Sequence, residues 1–274
     1  MAAKHFVEQR KHAETYLIPY FERHCPGFRS YRILDVGCAE AGFLDALHAS
    51  NIQGMGLELE AQRIATSRNF NPGLEILEGD ITDPLIVSRI NNTFDLIVIR
   101  DVIEHIQDKG TVFQHLRALL RSEGFIYITF PPRSSPFGGH QQNGRSILKY
   151  VPYLHLLPSS FISAAGRIAG EHPDTVGSII LQKHIGLSIR QFEDLAAAHG
   201  FQMFLKELFL FRPVFSVRYG LPTKLMPEVP GVREYLTLGC ECLLRKLEQP
   251  PSSPGTSPRV EFSSATRLTE SDQA

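Results

Sequence analysis

Asp35 closes the short apolar run "RILDV", and Gly37 stands two residues further on, inside "YRILDVGCAEAGFL" (31–44). Small residues then carry the chain through a tight turn into "GFLDALHA" (42–49), which has helical spacing. A helix that begins just after a strand offers free backbone N–H groups and can cradle a phosphate. Here the carboxylate of Asp35 at that spot would repel pyrophosphate and suit a cationic ligand. The glycines of the turn, Gly37 and Gly42, do not follow G-x-G-x-x-G, and G-K-[ST] is absent from the chain. More candidates close later apolar runs: Glu58 ends "IQGMGLE", Asp80 ends "LEILEGD", and Arg100 with Asp101 ends "FDLIVIRD". A carboxylate at the tip of a second strand can accept hydrogen bonds from both hydroxyls of a ribose. Glu60 is a nearby rival, but it falls past the strand, in helix-capping territory.

The elements that must hold these residues alternate. Strands are expected at 31–36, 52–58, 74–80, 94–100 and 125–130, with helix-like segments between them such as "EAQRIATSR", "DPLIVSRI" and "VFQHLRALLRS". Strand–helix alternation at this interval predicts a parallel sheet covered on both faces. "DLIVI" is apolar throughout, as a central strand buried on both sides requires. Residues 4–24 read as an amphipathic helix with Phe6, Tyr16, Leu17 and Phe21 on its apolar side. A second helix is expected at 188–200, closed by Gly200, and "FQMFLKELFLF" and "YLTLGCECLLRKL" are expected as a closing antiparallel pair of strands. The fold class expected is therefore α/β, a doubly wound, mostly parallel seven-stranded sheet with helices on both faces and a capping insertion after strand 5. Residues 1–29 would form an N-terminal helical cap, 30–249 the main domain, with 131–175 as the insertion, and 250–274 a disordered tail.

S-adenosylmethionine (SAM), which carries an ammonium and a sulfonium, matches the cationic ligand that Asp35 suits. At this point the chain resembles the class I, Rossmann-like SAM-dependent methyltransferases, in the small-molecule "type 11/12/23" group. "ILDVGCAEAGFL" is similar to that family's first motif, D-x-G-C-G-x-G, and the resemblance covers about residues 30–130. It implies that Asp35 and Gly37, with the backbone of Cys38 and Ala39, hold the methionine part of SAM. It implies ribose contacts at Glu58 and Leu59, and adenine contacts at Asp80 and Ile81. It places Arg100 and Asp101 beside the reactive methyl. Ala39 and Ala41 stand where the family has glycines. A methyl at a close-approach position crowds a cofactor. The plainer alternatives are an Arg100 paired with Asp101 or Glu104, and an Asp80 that caps its own loop.

Methyl transfer from a sulfonium is an in-line displacement that needs a positioned acceptor and, for a hydroxyl acceptor, a group that takes its proton. Two histidines are candidates. His140 lies in the glycine-flanked turn "SPFGGHQ" of the insertion, and His105 lies in "IEHI" after the fourth strand. His140 could instead only hydrogen-bond within its loop, and His105 could serve a structural role. From Gly124 to Gly170 there is no Asp or Glu, while Arg133, Arg145, Lys149 and Arg167 are present. The functional reading is an anionic acceptor bound by Arg133, His140 and Arg145. A solvated basic loop is the alternative. His155, in "VPYLHLLP", has apolar company and is expected to be packed.

Bulk properties narrow the function classes. The chain has 274 residues, 43% of them hydrophobic, and a net charge of −1, which argues against a general nucleic-acid binder. No apolar run reaches the ~18 residues that span a bilayer, and "MAAKHFVEQRKHAE" is too polar for a secretory signal. A cytoplasmic address with no stable membrane association follows as the expectation. The C-x-C of Cys240 and Cys242 is a poor metal motif, and no H-x-E or His/Cys cluster marks a ligand set, so a metal-free reaction is expected. The expected function is transfer of a methyl group from SAM to an O or N atom of a small biosynthetic metabolite. Two rivals stand beside it. One is methylation of a protein or nucleic acid, although [DN]-P-P-[YFW] is missing after strand four. The other, kept open by Ala39 and Ala41, is a SAM-fold protein that binds cofactor without transferring methyl.

Overall fold

The computed structural model describes residues 2–248, and the expected disordered tail lies outside them. The five apolar runs of the N-terminal half become the strands β1 (Arg32–Val36), β2 (Gln53–Glu58), β3 (Glu75–Glu78), β4 (Phe94–Arg100) and β5 (Leu120–Phe130). All pair in parallel, as in Leu34 opposite Met55 and Leu34 opposite Ile97. The later runs give β6 (Phe201–Phe211), a two-residue β7 (Lys224–Leu225) and β8 (Gly239–Lys246). The order across the sheet is β3-β2-β1-β4-β5-β8-β6-β7. β8 inserts antiparallel between β5 and β6, with Ile128 opposite Cys242 and Leu208 opposite Cys240. The seven expected strands and the closing antiparallel pair are thus present, and β7 adds a short eighth strand at the edge.

Buried faces follow from the alternation along β4. Ile97 and Ile99 enter one core cluster, with Phe113, Phe130 and Phe192, while Leu96 and Val98 enter the other, with Phe21, Phe43 and Tyr127. Both faces therefore need cover, and helices supply it. α1 (Ala2–His12) runs through a π turn (Ala13–Leu17) into α2 (Ile18–His24), so the expected N-terminal helix is continuous but under-wound at its middle. It docks tightly on α3 (Gly42–Ala49): a Cβ at Gly42 would lie 2.2 Å from the Phe6 carbonyl oxygen. Gln9 accepts the Gly42 N–H at 3.0 Å and Arg10 pairs with Asp45 at 2.8 Å. α4 (Ala61–Phe70), α5 (Pro84–Ile90) and α6 (Lys109–Leu119) complete the crossovers. Asp83 and Asp108 accept N–H groups of the first turns of α5 and α6.

The insertion starts at Pro131 and continues past Thr175. His172 caps, and Pro173 opens, a second helix, so α7 (Ser159–Ile168) is followed by α8 (Pro173–Ile185). Leu148, Leu154, Ile162 and Ile179 give it a small core of its own. Glu171, the first acid after the acid-free run, accepts the N–H groups of Arg145, Ser146 and His172 and the Ser146 hydroxyl. Those bonds hold its carboxyl well down, at about 2. The chain then closes with α9 (Ile189–Ala198), which carries a Ser188–Gln191 capping box, α10 (Pro213–Tyr219) and α11 (Arg233–Leu236).

Candidate active site

Strand order reverses at β1, whose neighbours are β2 on one side and β4 on the other. Ligands bind at such a switch point, outside the carboxyl ends of the strands. A cleft of about 1670 Å³ opens there. Gly37, Ala39, Glu58, Leu59, Asp80, Ile81, Arg100 and Asp101 all line it, so eight of the ten expected cofactor residues share one wall. The other two do not reach it. Asp35 is fully buried, and so is Cys38, whose N–H donates to the Leu57 carbonyl at 3.2 Å. Gly37 turns at φ 71°, and a side chain there would strike Val102 at 2.4 Å.

Asp35 is paired, and its partner differs from those expected. The Arg100 guanidinium donates to both Asp35 oxygens, at 3.0 and 3.4 Å, instead of pairing with Asp101 or Glu104. It also lies 4.9 Å from the Phe43 ring centroid. Burial nonetheless pushes the Asp35 carboxyl above its usual range, outweighing the pull of Arg100. Of the pair, Arg100 lines the cleft and Asp35 lies behind it. Glu58 accepts three backbone N–H groups, from Ala39 at 2.7 Å and from Leu59 and Glu60 at 3.0 Å each. Asp80 accepts the Thr82 N–H at 2.8 Å, the loop-capping geometry foreseen as its plainer role, while still lining the cleft. The turn keeps the glycine-type backbone: Ala39 has φ 51° and Ala41 φ 63°. Ala41 is buried and away from the cleft, so only the Ala39 methyl can meet a ligand.

The cleft continues beneath the insertion, where Pro131, Ser135, Phe137, His140, Lys149 and Tyr150 form its roof. His140 and His105 meet there, ring centroids 4.6 Å apart. Burial lowers both imidazoles, His140 to about 4. His140 and Asp101 both have left-handed backbones, at φ 56° each. With Ala39, that places three strained non-glycine residues on one cavity, a pattern typical of functional sites. Arg133 and Arg145 are not among the lining residues, which corrects their expected substrate role. Arg133 is tied to Leu187 and His155 through its backbone, and Arg145 to Glu171 through its N–H. The Arg133 carbonyl meets the buried His155 ring at 2.7 Å, so His155 is packed as expected.

Sequence reading missed several residues of this chamber. Arg212 donates to Asp101 at 2.6 Å; burial raises the Asp101 carboxyl, but that cation more than offsets it and holds it low. Glu241 of β8 accepts the hydroxyls of Tyr127 at 2.6 Å and Tyr16 at 2.9 Å. Its burial outweighs both bonds and raises its carboxyl to about 7. His12 is pushed down to about 3 by burial. Glu104, 1% exposed, has no hydrogen-bond partner on either carboxylate oxygen. Only Glu104 carried a signal, in "IEHI"; the others arrive from the two chain ends and resemble ordinary core or surface residues.

Comparison with known proteins agrees with this geometry. The family described as "Methyltransferase domain" matches residues 8–204. A ubiquinone biosynthesis O-methyltransferase of Ralstonia nicotianae is 25% identical over 101 residues, 36% of this chain and 42% of its own. Phosphoethanolamine N-methyltransferase 3 of Arabidopsis thaliana is 34% identical over 101 residues, 36% of this chain and 20% of its own. The chain thus spans less than half the length of either relative. The crystal structure of an S-adenosylmethionine-dependent methyltransferase from Clostridium acetobutylicum superposes with a TM-score of 0.55 at 12% identity, covering 86% of this chain and 92% of that one, and shares the fold.

Proposed function

The chain belongs to the methyltransferase-domain family, and from that premise we propose that it transfers the methyl group of SAM to an O or N atom of a small metabolite. The observation that carries this reading is the single cleft that joins the loops after β1, β2 and β3 to the polar chamber under the insertion. Along the first wall, Glu58 faces the ribose. Three of its roughly four acceptor sites are already used, which leaves room for one hydroxyl. Asp80 keeps its second oxygen for the adenine amine, and Ile81 packs on the ring. Arg100 takes the carboxylate of the methionine part, and Asp35 acts through it. SAM supplies the methyl group on a sulfonium; the residues of the chamber orient the acceptor behind it. The acceptor oxygen or nitrogen forms the new bond to carbon as the C–S pair returns to sulfur. His140 and His105 stand at the end of the chamber where the acceptor loses its proton.

The acceptor is a small molecule because the insertion roofs the chamber with Phe137 and Tyr150. The names of the relatives offer an oxygen acceptor and the amine of phosphoethanolamine as acceptor classes, and Lys149 and Arg212 supply positive charge for an anionic one. A second reading, cofactor binding without transfer, is favoured by Arg100, which occupies the carboxylate meant for the SAM ammonium. The test is incubation with methyl-labelled SAM and separate pools of metabolites, protein and nucleic acid. Label in the metabolite fraction is the expected result. Label in a macromolecule overturns the acceptor class, and calorimetric SAM binding with no label anywhere favours the second reading.

A further inference from the structure

The pocket holds a buried carboxyl that has no hydrogen-bond partner among the described residues. Neither carboxylate oxygen of Glu104 has a hydrogen-bond partner, although its side chain is only 2% exposed. An ionised carboxylate left alone in the interior is strongly unfavourable, so such a group stays neutral unless a cation takes the place of its proton. Among the described residues no lysine or arginine pairs with it; the imidazole nitrogens Nε2 of His140 and Nε2 of His105 lie 3.7 Å and 3.8 Å from it. Both gaps are too long for a hydrogen bond. His140 Nε2 is itself buried and unpartnered.

The geometry points to a divalent-cation site formed by Glu104, His105 and His140, of the zinc or cobalt class, at the acceptor end of the cleft. The three donor atoms lie within 4.8 Å of one another. Bonds of about 2.1 Å at tetrahedral angles put ligands about 3.4 Å apart, so a shift of a few tenths of an ångström closes the two carboxylate–imidazole pairs, and the two imidazole nitrogens close by roughly an ångström through side-chain rotation. Two imidazoles and one carboxylate match the ligand preference of zinc, and three protein ligands leave a position open toward the cleft. The outer shell is also in place. Gln182, 2% exposed, contacts the other nitrogen of His105 through its amide, and its Oε1 has no partner. Turned about its amide axis, Oε1 accepts Nδ1–H and leaves Nε2 of His105 for the metal. The His140 backbone sits at φ 56°, a strained position that ligation would justify.

This site deepens the methyltransferase reading and rests on it. One carboxylate, two neutral imidazoles and a divalent ion sum to +1, which a deprotonated hydroxyl neutralises. The acceptor class is therefore a phenol or other hydroxyl. On coordination its O–H proton passes to water. The bound oxygen then forms the O–CH3 bond while the C–S electron pair returns to sulfur, giving a methyl ether and neutral S-adenosylhomocysteine.

The test uses chelator-stripped full-length protein, titrated with cobalt(II) and followed by its visible absorption, then with zinc in competition with a chromophoric chelator. One equivalent is expected, without a thiolate charge-transfer band, and unchanged by Cys240→Ser. Glu104→Gln and His140→Gln should abolish it, and Gln182→Ala should weaken it by roughly 10–100-fold. His105→Gln, at a half-exposed side chain, keeps the test decisive if a buried variant fails to fold. SAM titration of each variant is run in parallel. Cobalt that does not bind stoichiometrically, that survives these substitutions, or that moves with Cys240 overturns the site even where SAM binds normally. Stoichiometric cobalt with no SAM binding overturns the methyltransferase reading instead.

Discussion

At the cofactor end of the cleft, Glu58 accepts three N–H groups, Asp80 accepts one and Asp35 holds Arg100. At the acceptor end, Glu104 accepts nothing and His140 Nε2 has no partner. The carboxylates of the first wall are matched to loops and a cation that the fold needs anyway, with the Arg100 Nε left over. The second is incomplete, which is what a site that binds by filling unmet bonds requires. A satisfied wall should respond to substitution mainly in stability, and an unsatisfied one mainly in turnover.

The largest expected effect tests the satisfied wall. Arg100→Met strands a fully buried Asp35 and should destabilise the fold by about 3–5 kcal/mol in denaturant titrations. Asp35→Asn combined with Arg100→Met should recover most of that loss, since the buried charge is then gone. A single-variant loss below about 1 kcal/mol would mean that the pair is no part of the fold's support, and the contrast with the acceptor end would fail.

Glu241 sits between the two regimes, satisfied by two tyrosines yet raised to about 7 from 4.5. A raised folded pKa means that the folded chain keeps a proton which the unfolded chain has lost between those values. The contribution is full below about pH 4.5 and is lost as pH rises through about 7, a change on the order of 3 kcal/mol. Glu241→Gln keeps a carbonyl acceptor for the Tyr16 and Tyr127 hydroxyls and removes the titration. Thermal melts from pH 4.5 to 8 should show a flatter profile for the variant than for the parent; parallel profiles would show that the carboxyl is not protonated in the fold.

The same contrast explains what could be read from the sequence. The cofactor wall is made of strand tips and the turns that follow them, so each element announces itself locally: Asp35 closes one apolar run, Glu58 another, and the glycine-poor turn stands between them. The parallel sheet and the antiparallel closure came with that pattern. The chamber has no such period. Arg212 and Glu241 come from near the C-terminal end of the described chain, His12 from α1, and His140 from a loop whose φ no propensity foretells. Arg133 and Arg145 misled because charge along the chain says nothing about direction. One is used for its backbone, and the other is fixed by the acid that ends the acid-free run.

His140→Ala probes the unsatisfied end. Turnover of a hydroxyl acceptor should fall about 10²-fold, with the SAM dissociation constant unchanged within about twofold. Loss of SAM affinity in step with turnover would place His140 on the cofactor wall and erase the distinction between the two ends.

The smallest effect concerns the turn itself. Ala39 and Ala41 share a left-handed backbone, which costs an L-residue roughly 1–2 kcal/mol relative to glycine. They differ in what the methyl touches. Ala41 is fully buried, so Ala41→Gly trades relief of strain for a small void and should be nearly neutral in stability. Ala39 lines the cleft, so Ala39→Gly removes strain without emptying the core and should stabilise by about 1 kcal/mol. It also clears the place where the methyl would meet SAM, and calorimetry should show tighter binding by a few-fold. Equal gains at both positions would mean that strain alone is relieved. Weaker SAM binding by Ala39→Gly would mean that the methyl is a contact the cofactor uses, and that the cofactor wall is shaped by alanine rather than tolerant of it.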